Sequence, residues 1–399
     1  MEWELTMDPG AAYIVSKLEK AGFEAYVVGG CVRDAQMGLI PKDWDITTSA
    51  RPPQIKALFP KTFDTGIEHG TVSVLWEKRT YEVTTYRIDG QYSDHRRPDT
   101  VCFTSRLYED LARRDFTINA MAYHPVKGLI DYFNGCLDIK KRRIRCVGNA
   151  AERFEEDALR MLRAIRFAVR LRFTIEEETR KAIIEKAPLL QYVSKERIAD
   201  ELTKTLLCQD CSGLEEVGST GLCPWISPRL GKISPDYEAP RRVAPQKGLR
   251  WTAFLHPLGS SQARAVLSEL KFDTATIRRA THLLEFLRAA MPQEDRAMRF
   301  FLHELGTDDF MALCQLKRAT GLLSEEEERQ MAALFERQKE ACVTLKQLAV
   351  SGRDLLAAGA KTGKELGETL EKLLCIVMEE PQMNQRDRLL AYFREHLKA

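Results

Sequence analysis

Residues 27–48, VVGGCVRDAQMGLIPKDWDITT, hold the pattern from which the fold follows. The apolar AYVV segment ending at Val28 has the composition of a strand and runs into Gly29-Gly30, a tight turn. CVRDAQMG has the length of a short helix, and DWDITTS, 43–49, alternates as a second strand. On a strand, Asp43 and Asp45 project to one face and Trp44 to the other, toward apolar packing. Like charges on one face repel, so either water screens the pair or something positive binds it. Two close carboxylates form a hard, oxygen-rich site of the kind magnesium prefers, with water and substrate phosphates completing its shell. Glycines at a strand-to-helix turn let backbone N–H groups approach phosphate oxygens, which gives Gly30 a nucleotide-binding role. Arg33, on the first turn of that helix, is placed to reach a triphosphate.

Outward from this stretch, the chain has 399 residues, enough for two or more domains. It is 44% hydrophobic and 30% charged, the profile of a soluble globular protein. No apolar run approaches the ~20 residues of a membrane span. The start, MEWELTMDPG, lacks an apolar signal core, so a cytoplasmic, non-membrane protein is expected. A net charge of +2 excludes a globally basic chain, so any nucleic acid must be held by local basic surface. KKRRIR at 140–145 and PRRVAPQKGLR at 240–250 are the candidates. The ten cysteines are scattered and expected to be reduced, and Cys208, Cys211 and Cys223 lack the fourth ligand of a zinc site.

To about residue 150, helical and strand-like segments alternate. AAYIVSKLEKA (11–21) and SARPPQIKALF (49–59) have helical spacing, while HGTVSVLW and YEVTTYR are strands joined by a charged turn. DFTINAMAYHP, 115–125, alternates as another strand. Between Tyr86 and Arg113 lies a long polar segment with Gly90 and Pro98, expected to be a mobile, functional loop. Glu82, in YEVTTY, lies on a strand that could run beside the Asp43–Asp45 strand and is the candidate third carboxylate; pairing with Arg33 or Arg114 is the alternative. From about 150 the texture becomes helical throughout, with a Pro- and Gly-containing break at about 223–248. In AERFEEDALRMLRAIRFAVRL, taken as one continuous helix, Phe154, Ala158, Met161, Leu162, Ile165 and Val169 gather on one side. Asp157, Arg160, Arg163 and Arg166 step around the other, where arginines at three-residue intervals repel without a partner and offer rigid donor forks to phosphates and base edges. GAKTGKE, 359–365, is not a phosphate-binding loop: its glycines are one residue too close and Glu365 stands where Ser or Thr is required.

GGCVRD followed by DWDITT resembles the signature of the polymerase-β-like nucleotidyltransferases, in the class II tRNA nucleotidyltransferase and bacterial poly(A) polymerase branch. TGIEHGTVSV, YEVTTYRIDGQYSDHRRPDTVCF, LARRDFTINAMAY and EEDALRMLRAIRFAVRLRF resemble further family segments, in unbroken order over roughly residues 22–205. SGRDLLAAGAKTGKELGETL, near 351–370, is similar to the tail of bacterial members. The resemblance implies an α+β head with a small mixed β-sheet at 1–150, then an all-α remainder: a neck with the nucleotide-selecting helix at 151–222, a body at 223–315 and a tRNA-binding tail at 316–399. It implies template-independent addition of C, C and A to the tRNA 3′ end from CTP and ATP, with Mg2+, two ions during catalysis, on Asp43 and Asp45. Asp157 and Arg160 would read the base edge, Arg163 and Arg166 would face ribose and phosphates, Arg114 would contact phosphates, and Asn119 would support the sugar pocket. A homodimer is a further family expectation. The alternatives are a poly(A) polymerase, a partial CC- or A-adding enzyme, and an inactive RNA-binding module. The full length of the Tyr86–Arg113 segment favours complete CCA addition, and the intact Asp43–Asp45 pair disfavours the inactive module.

Overall fold

A computed structural model describes residues 5–90 and 101–397. The chain divides into two compact units, Met1–Ser234 with Glu269–Lys271, and Pro235–Ser268 with Phe272–Ala399.

The first unit opens with helix α1 (Pro9–Lys20), which starts where Asp8 accepts from the Gly10 and Ala11 N–H groups and Pro9 fixes the first turn. The strands β1 (Ala25–Val28), β2 (Asp45–Thr48), β3 (Thr62–Gly66), β4 (Thr71–Trp76) and β5 (Arg79–Thr85) follow, interrupted by helices α2 (Gly30–Gln36) and α3 (Pro52–Leu58). A hairpin of β6 (Arg87–Asp89) and β7 (Val101–Phe103) leads to α4 (Leu107–Ala112), then β8 (Ala122–His124), β9 (Gly128–Ile130) and α5 (Gly135–Lys140). Seven strands form one mixed sheet in the order β3-β4-β5-β2-β1-β8-β9. Within this sheet, among the described residues, only the β2–β5 pair is parallel. The register pairs Ile46 with Val83, so Asp45 and Glu82 are neighbours at the edge of that pair. One core joins Ile14, Val15 and Leu18 of α1 to Val27, Ile46 and Val83 of the sheet. Each such aliphatic chain contributes about 1.5–3 kcal/mol on burial. Trp44 is packed into the same core, which fixes the direction of the aspartates on either side.

The helices α6 (Ala150–Glu156), α7 (Leu159–Leu171), α8 (Glu177–Lys186) and α9 (Lys195–Leu206) complete the signal-bearing part of this unit. The second unit is helical among its described residues, with Lys247–Leu255, Thr274–Phe286, Asp295–Leu305, Thr307–Ala319, Glu325–Gln338 and Lys364–Glu379 as its longer helices. Buried Arg299 closes the end of Lys364–Glu379 by donating to the Met378 and Glu379 carbonyls at 2.5 and 3.2 Å. Among the described residues no helix is long and apolar enough to cross a membrane.

Three sequence expectations change. The second strand begins at Asp45, so Asp43 stands in the loop before it rather than on it. DFTINAMAYHP is not one strand: Thr117–Asn119 is a 3-10 turn and only Ala122–His124 is extended. Phe116, Thr117 and Ile118 are all buried, so the apparent alternation does not divide a wet face from a dry one. The long helix from Ala150 is broken at Asp157, whose φ of −142° and ψ of 101° leave the helical region. Its apolar face is otherwise as expected, with Phe154, Ala158, Met161, Leu162, Ile165 and Val169 all buried. The centre of the Tyr86–Arg113 segment, 91–100, lies outside the described residues.

Candidate active site

A cleft of about 530 Å³ in the first unit is lined by Gly29, Gly30, Arg33, Asp43, Asp45, Arg114, Asn119, Arg163 and Arg166, with Leu39, Ile40 and Arg170 at its margin. A second cleft, of about 620 Å³, shares Lys42, Asp43 and Asp45 and adds Trp44, Ser73, Arg79, Thr80 and Glu82. The two aspartates therefore stand between an arginine-lined space and a space bounded by Glu82.

Among the described residues Asp43, Asp45 and Glu82 make no ion pair and accept no side-chain hydrogen bond. Poor solvation pushes the Asp45 carboxyl above its ordinary value; the Arg114 charge pulls it down, and Glu82 and Asp43 add to the rise. Strand β5, which carries Glu82, is tied by Tyr81, whose hydroxyl donates to Asp8 at 2.5 Å.

The opposite wall is a connected network. Gly29 has a φ of +79°, and a Cβ there would lie 3.0 Å from an Arg114 Nη1, so glycine is required both for the turn and for the close approach of the guanidinium. Arg33 on α2 donates to Asp34 and to Asn119 Oδ1, both at 2.6 Å. Asn119 donates to Asp115 at 3.2 Å, and Asp115 accepts from Arg163 at 2.6 Å. Arg163 and Arg166 in turn share Glu201 of α9, at 3.7 and 2.5 Å. Burial pushes the Asp115 carboxyl up, but Arg163, its hydrogen bond, Asn119 and Arg160 outweigh this and hold it at about 2. Phe167 lies beneath the guanidinium groups of Arg33, Arg163 and Arg166, with ring-centre distances of 5.3, 5.6 and 4.4 Å. Arg114 is placed by buried Asp110, 3.6 Å away, which also accepts from Arg113 at 2.8 Å and from Thr47 of β2 at 3.0 Å. Burial raises the Asp110 carboxyl, and Arg113 and Arg114 outweigh it, leaving it below its ordinary value.

Of the residues expected from sequence, Gly30, Arg33, Asp43, Asp45, Arg114, Asn119, Arg163 and Arg166 surround the first cleft, and Glu82 joins the aspartates in the second. Asp157 and Arg160 do not line either cleft. Arg160 is buried one turn before Arg163, donating to Glu156 and to the Arg153 and Arg113 carbonyls, and Asp157 is paired with Arg197 at 2.8 Å. Sequence reasoning did not single out Asp110, Asp115, Phe167, Arg197 or Glu201. Asp115 could have been found, because ARRDFTIN sets a carboxylate directly beside the arginine pair.

The donor set suits a hard divalent cation. Asp43 and Asp45 present unpaired carboxylate oxygens at a cleft wall, leaving positions for water and phosphate oxygens. Among the described residues no group of three or more His, Cys, Asp or Glu side chains is placed to hold a metal ion by itself.

Comparison with known proteins agrees with this arrangement. The model of the poly A polymerase head domain matches residues 25–145, that of a probable RNA- and SrmB-binding site of polymerase A matches 172–232, and that of a putative tRNA nucleotidyltransferase domain 2 matches 245–393. The CCA-adding enzyme of Enterococcus faecalis is 39% identical, covering 96% of this chain and 95% of its own. That of Bacillus licheniformis is also 39% identical, covering 94% of each. The crystal structure of the Bacillus stearothermophilus CCA-adding enzyme in complex with CTP superposes with a TM-score of 0.83 at 32% identity, over 98% of both chains. Divalent-metal dependence is general in this family. With a mixed-sheet head, unpaired carboxylates facing an arginine wall, and this likeness along nearly its whole length, the chain belongs to the CCA-adding tRNA nucleotidyltransferase family.

Proposed function

We infer that this protein adds C, C and A to the 3′ end of tRNA from CTP and ATP, without a nucleic-acid template. One observation carries the reading: Asp43 and Asp45, unpaired, stand where an arginine-lined cleft meets one bounded by Glu82. The arginine side suits a triphosphate, and the carboxylate side suits the approach of an RNA 3′-hydroxyl.

In the reaction the terminal 3′-oxygen forms a bond to the α-phosphorus, the bond from that phosphorus to the β-phosphate bridge breaks, and pyrophosphate leaves. Arg33 and Arg114 hold the phosphates, and Arg163 and Arg166 face ribose and phosphate, each already oriented by a carboxylate or amide. Asn119 supports the sugar pocket, and the Gly29-Gly30 turn brings backbone close to the phosphates. Asp43 and Asp45 would hold Mg2+, two ions during catalysis, which when bound supplies activation of the attacking hydroxyl and charge neutralisation for pyrophosphate. Glu82 is the third carboxylate of this group.

Base choice belongs to Asp157 and Arg160. Asp157 accepts from the exocyclic amino group that C and A share, and Arg160 donates to a ring acceptor. U and G leave these groups unpaired, which a site built on hydrogen bonds penalises heavily. The tail, 316–399, is the tRNA-binding part, and a cytoplasmic homodimer is the form this reading expects.

The test is incubation with tRNA lacking its CCA end and with CTP and ATP, separately and together. CTP alone should add two residues, and both together should complete CCA. Long tails from ATP alone would mark a poly(A) polymerase; no incorporation would mark an inactive RNA-binding module.

A further inference from the structure

The arginines of α7 are not treated alike. Arg160 is held by Glu156, Arg163 by Asp115 at 2.6 Å and Arg166 by Glu201 at 2.5 Å. Arg170 is exposed, and among the described residues its guanidinium makes no ion pair or hydrogen bond. At about 100° per residue, Arg163 and Arg170 point within about 20° of one another, and Arg170 stands about 6 Å beyond Arg166 along the axis. With the base edge read at 157 and 160 and the sugar and phosphates faced by 163 and 166, Arg170 is the next cation in the row.

Its place in the surface is also particular. Arg170 lines the first cleft in company with Arg33, Arg114 and Arg166. It lines as well a third cleft, of about 610 Å³, with Arg166, Arg172, Lys204, Leu207 and Cys208. Arg166 and Arg170 are common to both, so the first cleft passes into the third beside this pair. In the third cleft Arg172 is paired with Asp210 at 3.2 Å and Lys204 with Asp200 at 2.6 Å. Among the described residues that line it, Arg170 is thus the cation without a carboxylate.

An arginine in the last turn of a helix ordinarily serves the exposed carbonyls of the helix end. That role does not call for a cleft. A guanidinium sharing a cleft with Arg33 and Arg114 adds to a positive field that a multiply charged anion relieves. Arg163 and Arg166 are tied to their carboxylates, whereas Arg170 can follow an anion as it moves.

We propose that Arg170 binds the terminal phosphate of the incoming nucleotide, and that the pyrophosphate formed when the bond to the β-phosphate bridge breaks leaves past Arg170 through the third cleft. The proposal rests on the reading of the first cleft as a nucleotidyl-transfer site. Arg33 and Arg114 hold the phosphates nearer the reacting bond, and the fork of Arg170 offers paired donors to the last one.

Equilibrium dialysis with magnesium measures the dissociation constants of CTP and CDP for the full-length parent, Arg170→Gln and Arg170→Lys. Incorporation of CTP into tRNA lacking its CCA end gives the inhibition constant of inorganic pyrophosphate for the same three proteins. Arg170→Gln should weaken CTP about tenfold, while CDP, which lacks the terminal phosphate, stays within about twofold of the parent. The inhibition constant of pyrophosphate should rise about tenfold, and Arg170→Lys should recover part of both losses. A structural defect or a general loss of positive charge would weaken CTP and CDP alike, and that result would overturn the proposal. So would CTP affinity within about twofold of the parent in Arg170→Gln, with the nucleotidyl-transfer reading left standing. A parent chain that binds no CTP would overturn both.

Discussion

The two walls of the cleft treat charge in opposite ways. On the carboxylate side, Asp43, Asp45 and Glu82 make no ion pair among the described residues, and burial, with the Glu82 and Asp43 charges adding to it, keeps the Asp45 carboxyl above its ordinary value although Arg114 pulls it down. On the facing wall, Arg33, Arg163 and Arg166 each have a partner within 2.6 Å, and Asp115 is held at about 2. Folding alone rewards only the second arrangement. The first is tolerated because its counter-ion arrives with the substrate, and the second aims its donors before the substrate comes. Stability and chemistry should therefore separate between the two walls when each is mutated.

The largest effect is expected at the unpaired wall. Asp45→Ala should lower both C and A addition by at least about a thousandfold, and near-normal turnover would remove the metal-binding reading. At the paired wall, Asp115→Asn leaves Arg163 without its main counter-charge. Stability measured by urea unfolding should fall by about 3 kcal/mol, and an unchanged midpoint would break the contrast. Asp157→Ala should admit UTP on the order of ten- to a hundredfold more readily, measured as relative incorporation, with the magnesium dependence little altered. Gly29→Ala forces a Cβ into a left-handed turn beside Arg114, costing about 1–2 kcal/mol; the weakened phosphate grip should appear as a raised KM for CTP. The smallest effect is in pH. The depressed Asp115 carboxyl contributes stability that is present above its ordinary value of 3.8 and lost as pH falls toward about 2. Asp115→Asn should flatten that part of the acid-unfolding profile.

The carboxylate side of the cleft was legible because its pattern is local. Valines, a glycine pair, a short helix and Trp44 between two aspartates lie within 22 residues, and each signal survives without tertiary context. Strand β3 was not legible, since TFDTG has a mostly exposed face and no alternation. The break at Asp157 was hidden because residues on both sides favour helix, while a carboxylate capping Leu159 and a guanidinium 40 positions away decide the local geometry. Arg197 and Glu201 look like ordinary charges of a soluble helix in SKERIADELTKTLL. Only the packing of α9 against α7 reveals that both face inward, so the partners of the arginine wall could not be read from spacing.

The most direct test is the thermal melt of Asp45→Asn without divalent cations. Removing one of these unpaired like charges should leave the melting temperature unchanged or raise it by a few degrees, about 1 kcal/mol, in a protein that no longer adds nucleotides. A fall as large as that of Asp115→Asn would contradict the account, because it would make the unpaired carboxylate part of what holds the fold together.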